Sequence, residues 1–191
     1  MTFTHLKAAD YVTSVWSGGT TTQVGIAPEG AVYADRTFLW RISSATVDLD
    51  VSDFTALPDY NRLIATLEGE IDVTHNDGPV IHLAPYGIHA FDGGWNTRSV
   101  GRCTDFNLMT RKGQCQGELT CLAPTQDAPV TAQLAQGSDA VIYCAEGSLQ
   151  VELQGQVAAL EAGESVLIRN ADAAALTVAG CGKSMFAVIR Y

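Results

Sequence analysis

The chain has 191 residues, of which 47% are hydrophobic and 17% charged, and its formal net charge is −10. This composition excludes a disordered chain, and the acidic charge makes nucleic acids and anionic membranes unsuitable partners. No apolar run reaches the roughly 18 residues of a membrane helix. The amino end lacks the basic start and long apolar stretch of a secretory signal. We therefore expect a globular, cytoplasmic protein.

Short segments of alternating or β-branched character follow one another along the chain, separated by glycine, proline, aspartate and asparagine. They predict strands at 37–43, 62–67, 70–74, 106–110, 140–144, 149–153, 165–168 and 185–189. Asn76-Asp77-Gly78 predicts a hairpin turn between 70–75 and 80–83. Helices are expected only around 5–11 and 130–136. The spacing indicates an all-β protein with very little helix, built as an antiparallel sandwich or barrel.

The chain also contains an internal repeat. The segment 63–87 is echoed by 141–164, with Glu68-Gly69 corresponding to Glu146-Gly147. Two copies of one pattern predict two similar β units. We expect the first unit to span 1–111, including the amino-terminal segment and a pocket, and a shorter second unit to span 117–191. Because no proline- or serine-rich linker separates them, we expect the two to pack closely as one globular body.

The repeated pattern of strand, Glu-Gly, strand, turn and Leu resembles the cupin barrel, and its duplication resembles a bicupin. Catalytic cupins carry an HxHxxxE metal cluster before the Glu-Gly pair and a fourth histidine after the Leu turn. Alignment on Gly69 places the Glu position at Arg62, the first two histidine positions at Ala56 and Pro58, and the last near Asn96. The second unit lacks the set as well. The resemblance therefore implies a cupin without its metal ligands.

A metal site elsewhere is not indicated either. His75, Asp77 and His82 could be read as two histidines and a carboxylate. His75 and Asp77 flank the predicted turn, however, and the turn geometry alone explains Asn-Asp-Gly, so we interpret both as solvated turn residues. His5 and His89 have no partner pattern. The five cysteines include no CxxC pair and are expected to be reduced thiols. We predict no metal and no cofactor.

Arginines occupy positions on otherwise apolar strands. Strand alternation places Asp105, Asn107, Met109 and Arg111 on one face of the segment 105–111. Arg41 lies within a predicted strand, and Arg62 opens the strand that leads into the first Glu-Gly pair. Three arginines on three strands can converge in the mouth of a small barrel, where ligand pockets are common. The alternative is that each forms a structural ion pair or lies on a solvated face.

A series of motifs runs in order through the first 111 residues: Trp16-Ser-Gly-Gly with the Thr-rich stretch to Ala27-Pro28, Phe38-Leu-Trp-Arg-Ile-Ser-Ser-Ala45, Phe54 with Leu57-Pro58, Asn61-Arg62-Leu63 through Leu67-Glu68-Gly69, Phe91-Asp-Gly, and Asp105-Phe-Asn-Leu-Met-Thr-Arg111. In these motifs the chain resembles the HutD/Ves family, small bacterial bicupin-like proteins, the first of which is linked to histidine utilisation. In that family the loop after the tryptophan usually carries a basic residue and an asparagine, which the shorter Ser17-Gly18-Gly19 lacks.

The resemblance implies a regulatory or accessory protein of histidine degradation that binds an intermediate such as formylglutamate or formiminoglutamate. Both ligands carry two carboxylates, which arginine recognises well. We hypothesise a metal-free binder of a small anionic metabolite, with carboxylates held by Arg41, Arg62 and Arg111. Asp105 and Asn107 would orient the ligand, and Trp16 and Trp40 would form the pocket wall.

Two other hypotheses remain open. One is a metal-independent cupin hydrolase or isomerase that acts on a small carboxylate substrate and uses Asp105 as acid or base. The other is a protein-interaction module whose second unit forms the surface of a homodimer.

Overall fold

The computed structural model describes all residues, 1–191, and contains seventeen β-strands and two 3-10 turns. The first ten strands are β1 (Thr2–Leu6), β2 (Val12–Trp16), β3 (Gly19–Ala27), β4 (Trp40–Val47), β5 (Val51–Asp53), β6 (Tyr60–Gly69), β7 (Ile71–His75), β8 (Val80–Leu83), β9 (Ile88–Asp92) and β10 (Thr97–Val100). The other seven are β11 (Cys103–Arg111), β12 (Gln116–Leu122), β13 (Val130–Leu134), β14 (Asp139–Leu153), β15 (Gln156–Glu161), β16 (Ser165–Arg169) and β17 (Ala174–Arg190). The prediction of an all-β protein is confirmed.

The helical content is limited to the two short 3-10 turns, Ala8–Asp10 and Tyr33–Asp35. None of its helices has the length and apolar character needed to span a bilayer. Of the short helix predicted around 5–11 only the 3-10 turn Ala8–Asp10 forms, and the helix predicted around 130–136 is wrong. Val130–Leu134 is a strand whose side chains alternate between partly buried and exposed, because it pairs along β17. Tertiary pairing overrides weak local helix propensity in such short segments.

The chain forms two compact units, one of residues 12–116 and one of residues 1–11 together with 117–191. The amino-terminal boundary therefore differs from the prediction, which assigned residues 1–11 to the first unit. The physical reason is strand pairing. β1 lies antiparallel to β16, from Thr2 opposite Arg169 to Leu6 opposite Ser165. Each strand thereby supplies the backbone hydrogen bonds of the other.

The unit of residues 12–116 contains two sheets. One is six-stranded in the order β2-β3-β4-β11-β6-β9, and the other is four-stranded in the order β5-β10-β7-β8. A core cluster draws on both sheets, with Ile64 from β6 and Val73 from β7 fully buried. The predicted hairpin is confirmed: β7 pairs with β8, and Asn76 and Asp77 both adopt positive φ, at 49° and 57°. Such turns match the twist of the flanking strands.

The other unit contains one sheet with the order β1-β16-β14-β17-β12, to which β13 and β15 add by pairing with β17 and β14. In both units the glycine of the Glu-Gly pair is required for the same physical reason. Gly69 has φ 74° and Gly147 has φ 78°, and a Cβ on either would lie within 2.5 Å of a facing carbonyl oxygen, that of Arg102 or that of Cys181. Only glycine permits this close approach of two strands.

Candidate functional site

A cavity of about 260 Å³ lies in the unit of residues 12–116. Its lining includes side chains from the six-stranded sheet and from β5 of the four-stranded sheet. Five of the seven residues that the sequence singled out line it: Trp16, Arg41, Arg62, Asp105 and Asn107. These residues are far apart in sequence, and the cavity brings them together.

Strand register places the charged side chains in adjacent rows. On β11, Met109 lies between Arg41 of β4 and Arg62 of β6. Asp105 and Asn107 follow at two-residue intervals on the same strand, and all three β11 residues line the cavity. Residues directly opposite one another, or two apart on one strand, share a face of a sheet. The alternation predicted for β11 therefore holds for these three positions.

Arg62 begins a buried hydrogen-bonded chain. Its Nη2 donates to Oδ1 of Asn107 at 2.8 Å, and Nδ2 of Asn107 donates to Oδ1 of Asp105 at 2.9 Å. The three residues are only 5–6% exposed. Because both ends of its amide are engaged by protein groups, Asn107 acts as a positioning residue between the guanidinium and the carboxylate.

Arg41 is held by a separate set of contacts. Its Nε donates to Oε1 of Gln23 at 2.9 Å and its Nη1 donates to Oγ of Ser43 at 3.1 Å. The guanidinium lies 4.2 Å from the ring centre of Tyr33. Arg62 is held in a similar way, 5.0 Å from the ring centre of Phe54 and 5.1 Å from that of Phe91. Aromatic faces attract cations without neutralising them.

Neither guanidinium forms an ion pair with an acidic side chain. Burial lowers the pKa of Arg62 to about 10, an effect partly offset by the charge of Asp105. Burial likewise lowers the pKa of Arg41. Burial raises the pKa of Asp105 to about 6, against the opposing effects of its hydrogen bond from Asn107 and the charge of Arg62. Near neutral pH the guanidiniums of Arg41 and Arg62 outnumber the single carboxylate of Asp105. The cavity of this acidic protein therefore carries a local excess of positive charge.

Three polar atoms of the lining are buried without a hydrogen-bond partner in the protein: Nε of Arg62, Nε1 of Trp16 and Oγ of Ser52. Each can donate a hydrogen bond. The hydrogen-bonding capacity of these three donors is therefore unused within the protein.

Trp40 and Arg111 lie elsewhere, which corrects the prediction that they belong to the pocket. Trp40 is fully buried and, as the neighbour of Arg41 on β4, points to the opposite face of the sheet. Arg111, at the end of β11, donates from Nη1 to the carbonyl oxygen of Arg36 at 3.1 Å and to Oη of Tyr60 at 3.4 Å. It therefore ties together neighbouring segments of its own unit.

The sequence reading missed a histidine pair. Nε2 of His75 and Nε2 of His89 are 2.8 Å apart, and Nδ1 of His75 is 2.8 Å from Oγ1 of Thr97. His75 is only 9% exposed, so its interpretation as a solvated turn residue is wrong. Alternation on β9 was the available signal, because His89 lies two residues before the buried Phe91. Only the tertiary structure shows that the partner of His89 is His75, at the end of β7.

This pair is expected to make the protein less stable at acidic pH. Burial lowers the pKa of both His75 and His89 from the ordinary value of 6.5. As the pH falls below 6.5, the unfolded chain gains protons that the folded chain resists, so the free energy of unfolding decreases. Urea unfolding should show that the free energy of unfolding decreases less between about pH 7.5 and about pH 5 in His75→Gln than in the wild type.

His82→Gln is the matched control, because this exposed histidine is hydrogen-bonded to Asp72, which raises its pKa. Protonation of His82 therefore favours the folded state, and its replacement should not reduce the loss of stability at acidic pH. An unchanged pH profile in His75→Gln would contradict the prediction.

The residues present do not fit the metal site of catalytic cupins. Arg62 stands at the position of the ligand glutamate, and its guanidinium, like that of Arg41, repels a cation. Ala56 and Pro58 carry no donor side chain. No three His, Cys, Asp or Glu side chains lie close enough together to hold a metal ion. No metal-dependent step follows from this set of side chains.

Solved structures similar to this chain share its fold. The protein PA5104 from Pseudomonas aeruginosa PAO1 is 20% identical, with a TM-score of 0.86 over 100% of this chain and 98% of that one. HutD from Pseudomonas fluorescens SBW25 is 18% identical, with a TM-score of 0.81 over 98% of each. A cupin 2 conserved barrel domain protein from Leptotrichia buccalis is 11% identical, with a TM-score of 0.56 over 93% of this chain and 91% of that one.

These likenesses establish a cupin-like fold. No curated protein matches the chain. The sequence model of the HutD family matches residues 8–186, nearly the whole chain. This match confirms the resemblance seen in the amino-terminal motifs, and it extends the resemblance through the second unit. The chain belongs to the HutD family.

Proposed function

We propose that this protein binds a small anionic metabolite in the cavity of residues 12–116 and does not turn it over. The ligand class is a dicarboxylate, and the family membership supports an intermediate of histidine degradation such as formylglutamate or formiminoglutamate. The protein would then serve that pathway in a regulatory or accessory role.

The observation that carries the proposal is the pair of buried guanidiniums without a carboxylate partner. A buried charge costs free energy unless it is paired. Arg41 and Arg62 have only neutral hydrogen-bond acceptors, Gln23, Ser43 and Asn107, together with aromatic rings. A bound carboxylate supplies the missing counter-charge, and each charge-assisted hydrogen bond contributes about 1.5–3 kcal/mol.

The size of the cavity fits the proposed ligand class. Its volume of about 260 Å³ is smaller than the roughly 300–1,000 Å³ of sites for drug-sized ligands. A short-chain dicarboxylate is correspondingly small. The flanking rings of Tyr33 and Phe54 give its methylene chain an apolar surface to contact.

Calorimetric titration tests the proposal. Near pH 7.5, glutarate and N-formylglutamate should bind the wild-type protein, and glutaramide, the uncharged diamide of glutarate, should bind at least about tenfold more weakly. Arg41→Met should weaken binding of glutarate, whereas Arg98→Met, at an exposed arginine of the same unit, should leave it unchanged. Equal binding of glutarate and glutaramide, or no binding of either, would reject an anion site.

A metal-independent enzyme is the second candidate, and the environment of Asp105 favours it. A pKa near 6 suits a general acid or base at physiological pH. Incubation of N-formylglutamate with the protein for several hours, followed by chromatography, separates the two hypotheses. A product that forms with the wild type and is absent with Asp105→Asn identifies an enzyme. Unchanged ligand supports the binding protein.

A further inference from the structure

We infer that β2, an edge strand of the six-stranded sheet, is a self-association surface that pairs antiparallel with β2 of a second copy of this chain. The six-stranded sheets of the two copies then join into one across a two-fold axis. This interface goes beyond the proposed function, because it concerns two copies of the protein rather than a ligand. It also lies in a different unit from the homodimer surface that the sequence suggested.

The free edge of β2 is exposed in the complete chain. β2 lies at one end of its sheet and pairs only with β3, from Val12 opposite Gln23 to Trp16 opposite Gly19. Val15 is 83% exposed, the highest fraction among the exposed large hydrophobic side chains. An exposed apolar edge strand can pair with a strand of another chain. No segment of this chain prevents such pairing by covering β2.

The absence of charge on β2 indicates which partner fits it. Residues 11–28 contain no charged side chain, although the chain as a whole has a formal net charge of −10. Two copies of so acidic a chain repel one another, and the repulsion is weakest where both surfaces are uncharged. Natural edge strands avoid self-pairing by carrying charges or proline, and β2 carries neither. The edge of β2 therefore fits the same edge of a second copy.

The other edge strands are protected from self-pairing. Six of them contain a titratable residue: His5 in β1, Asp53 in β5, His82 in β8, Asp92 in β9, Glu118 in β12 and Glu161 in β15. β13 contains none, but its exposed side chains are the polar Thr131 and Gln133. Among the edge strands, β2 alone combines an uncharged sequence with exposed apolar side chains.

The hairpin geometry determines which backbone groups of β2 are free. A two-residue turn, Ser17-Gly18, joins β2 to β3, so the flanking Trp16 and Gly19 form a hydrogen-bonded pair. Hydrogen-bonded and non-hydrogen-bonded pairs alternate along an antiparallel ladder. The backbone N–H and C=O groups of Thr13 and Val15 therefore point away from β3, to the free edge.

A two-fold axis through Ser14 satisfies these free groups. It places Thr13 of one copy opposite Val15 of the other, and each such pair exchanges two backbone hydrogen bonds. The exposed Val15 side chain then packs beside a β-branched threonine, a favourable cross-strand neighbour. Ser14 of one copy lies opposite Ser14 of the other in a non-hydrogen-bonded pair, with Cα atoms about 4.5 Å apart. The edge is thus self-complementary in backbone and side chains.

Sedimentation velocity tests for the dimer. The wild-type chain of 20.3 kDa should form a reversible species of twice this mass as its concentration rises from about 10 to about 500 μM. Val15→Lys should raise the dissociation constant at least about tenfold, because it puts a charge into the interface. Val80→Lys is the matched control, because Val80 is 64% exposed on an edge strand of the other sheet. It should leave the dissociation constant unchanged.

Cysteine cross-linking tests the register. In a Cys181→Ser background, which removes the exposed cysteine, oxidation of Ser14→Cys should give a covalent dimer, because the separation of the Cα atoms suits a disulfide. Thr13→Cys is the control. The two copies of Thr13 lie two residues out of register, beyond the roughly 7 Å that a disulfide can bridge. This variant should give no covalent dimer.

Three results would reject the interface. A wild-type chain that stays monomeric up to about 500 μM does not self-associate. A dimer that persists in Val15→Lys, with wild-type strand content by circular dichroism, forms through another surface. Equal cross-linking of Ser14→Cys and Thr13→Cys contradicts the two-fold pairing even if Val15→Lys fails to fold. None of these measurements uses a ligand, so the proposed function is tested separately.

Discussion

Replacement of Arg62 by methionine is expected to weaken the binding of dicarboxylates at least about thirtyfold, or about 2 kcal/mol, with only a small loss of stability. The loss of affinity follows from removal of a buried guanidinium that has no acidic partner in the protein. The free energy of unfolding should fall by less than about 3 kcal/mol, because Oδ1 of Asn107 loses a buried donor while an unpaired buried charge is replaced by an apolar side chain between Phe54 and Phe91.

This combination of results distinguishes a ligand site from a structural role. Breaking a structural buried ion pair costs about 3–5 kcal/mol of stability, because the remaining charge is left alone. Calorimetric titration with glutarate measures the affinity, and urea unfolding measures the stability. Arg98→Met, at an exposed position, is the matched control. A strongly destabilised Arg62→Met protein would show that Arg62 serves the fold.

Replacement of Asp105 by asparagine is expected to stabilise the protein by roughly 1–3 kcal/mol near neutral pH. The carboxyl group has a pKa of about 6 when folded, against an ordinary value of 3.8. Between these two values the folded chain binds more protons than the unfolded chain, so the free energy of unfolding decreases as the pH rises. Above pH 6 the ionised carboxylate is a buried charge without an ion-pair partner, and asparagine removes that cost.

The same substitution should raise the affinity for dicarboxylates by about tenfold, because it removes a negative charge beside the anion. Urea unfolding near pH 4.5 and pH 7.5 should show that Asp105→Asn increases the free energy of unfolding more at the higher pH than at the lower one. Asp53→Asn is the matched control, since Asp53 also lines the cavity but is exposed. Lower stability or weaker binding in Asp105→Asn would contradict the prediction.

Much of the candidate site follows from local sequence pattern. A strand has a period of two residues, so the alternation of Asp105, Asn107 and Met109 with apolar neighbours was enough to place all three on one face. By the same rule Trp40, the direct neighbour of Arg41, points to the opposite face of its strand. Strand alternation alone therefore excludes Trp40 from the pocket. The Glu-Gly repeat was equally visible, because close approach of two strands requires glycine at Gly69 and Gly147.

Other features depend on contacts between distant segments. Which face of a strand meets a cavity, and how far along the strand the cavity extends, depend on register and on the second sheet. Arg111 shares the alternation of Asn107 but lies at the strand end, where it meets Arg36 and Tyr60 instead. The hydrogen bond between His75 and His89 joins two strands that do not pair with each other.

The sequence by itself determined the all-β class, the duplicated unit and the amino-terminal family motifs, because strand period and turn chemistry act over a few neighbouring residues. Only the tertiary structure decided that β1 pairs with β16 and that Arg41 and Arg62 lie without an acidic partner. Only the tertiary structure brought Ser52 to the same cavity as Trp16. Those facts depend on which distant side chains meet, and burial then determines their energetic consequences.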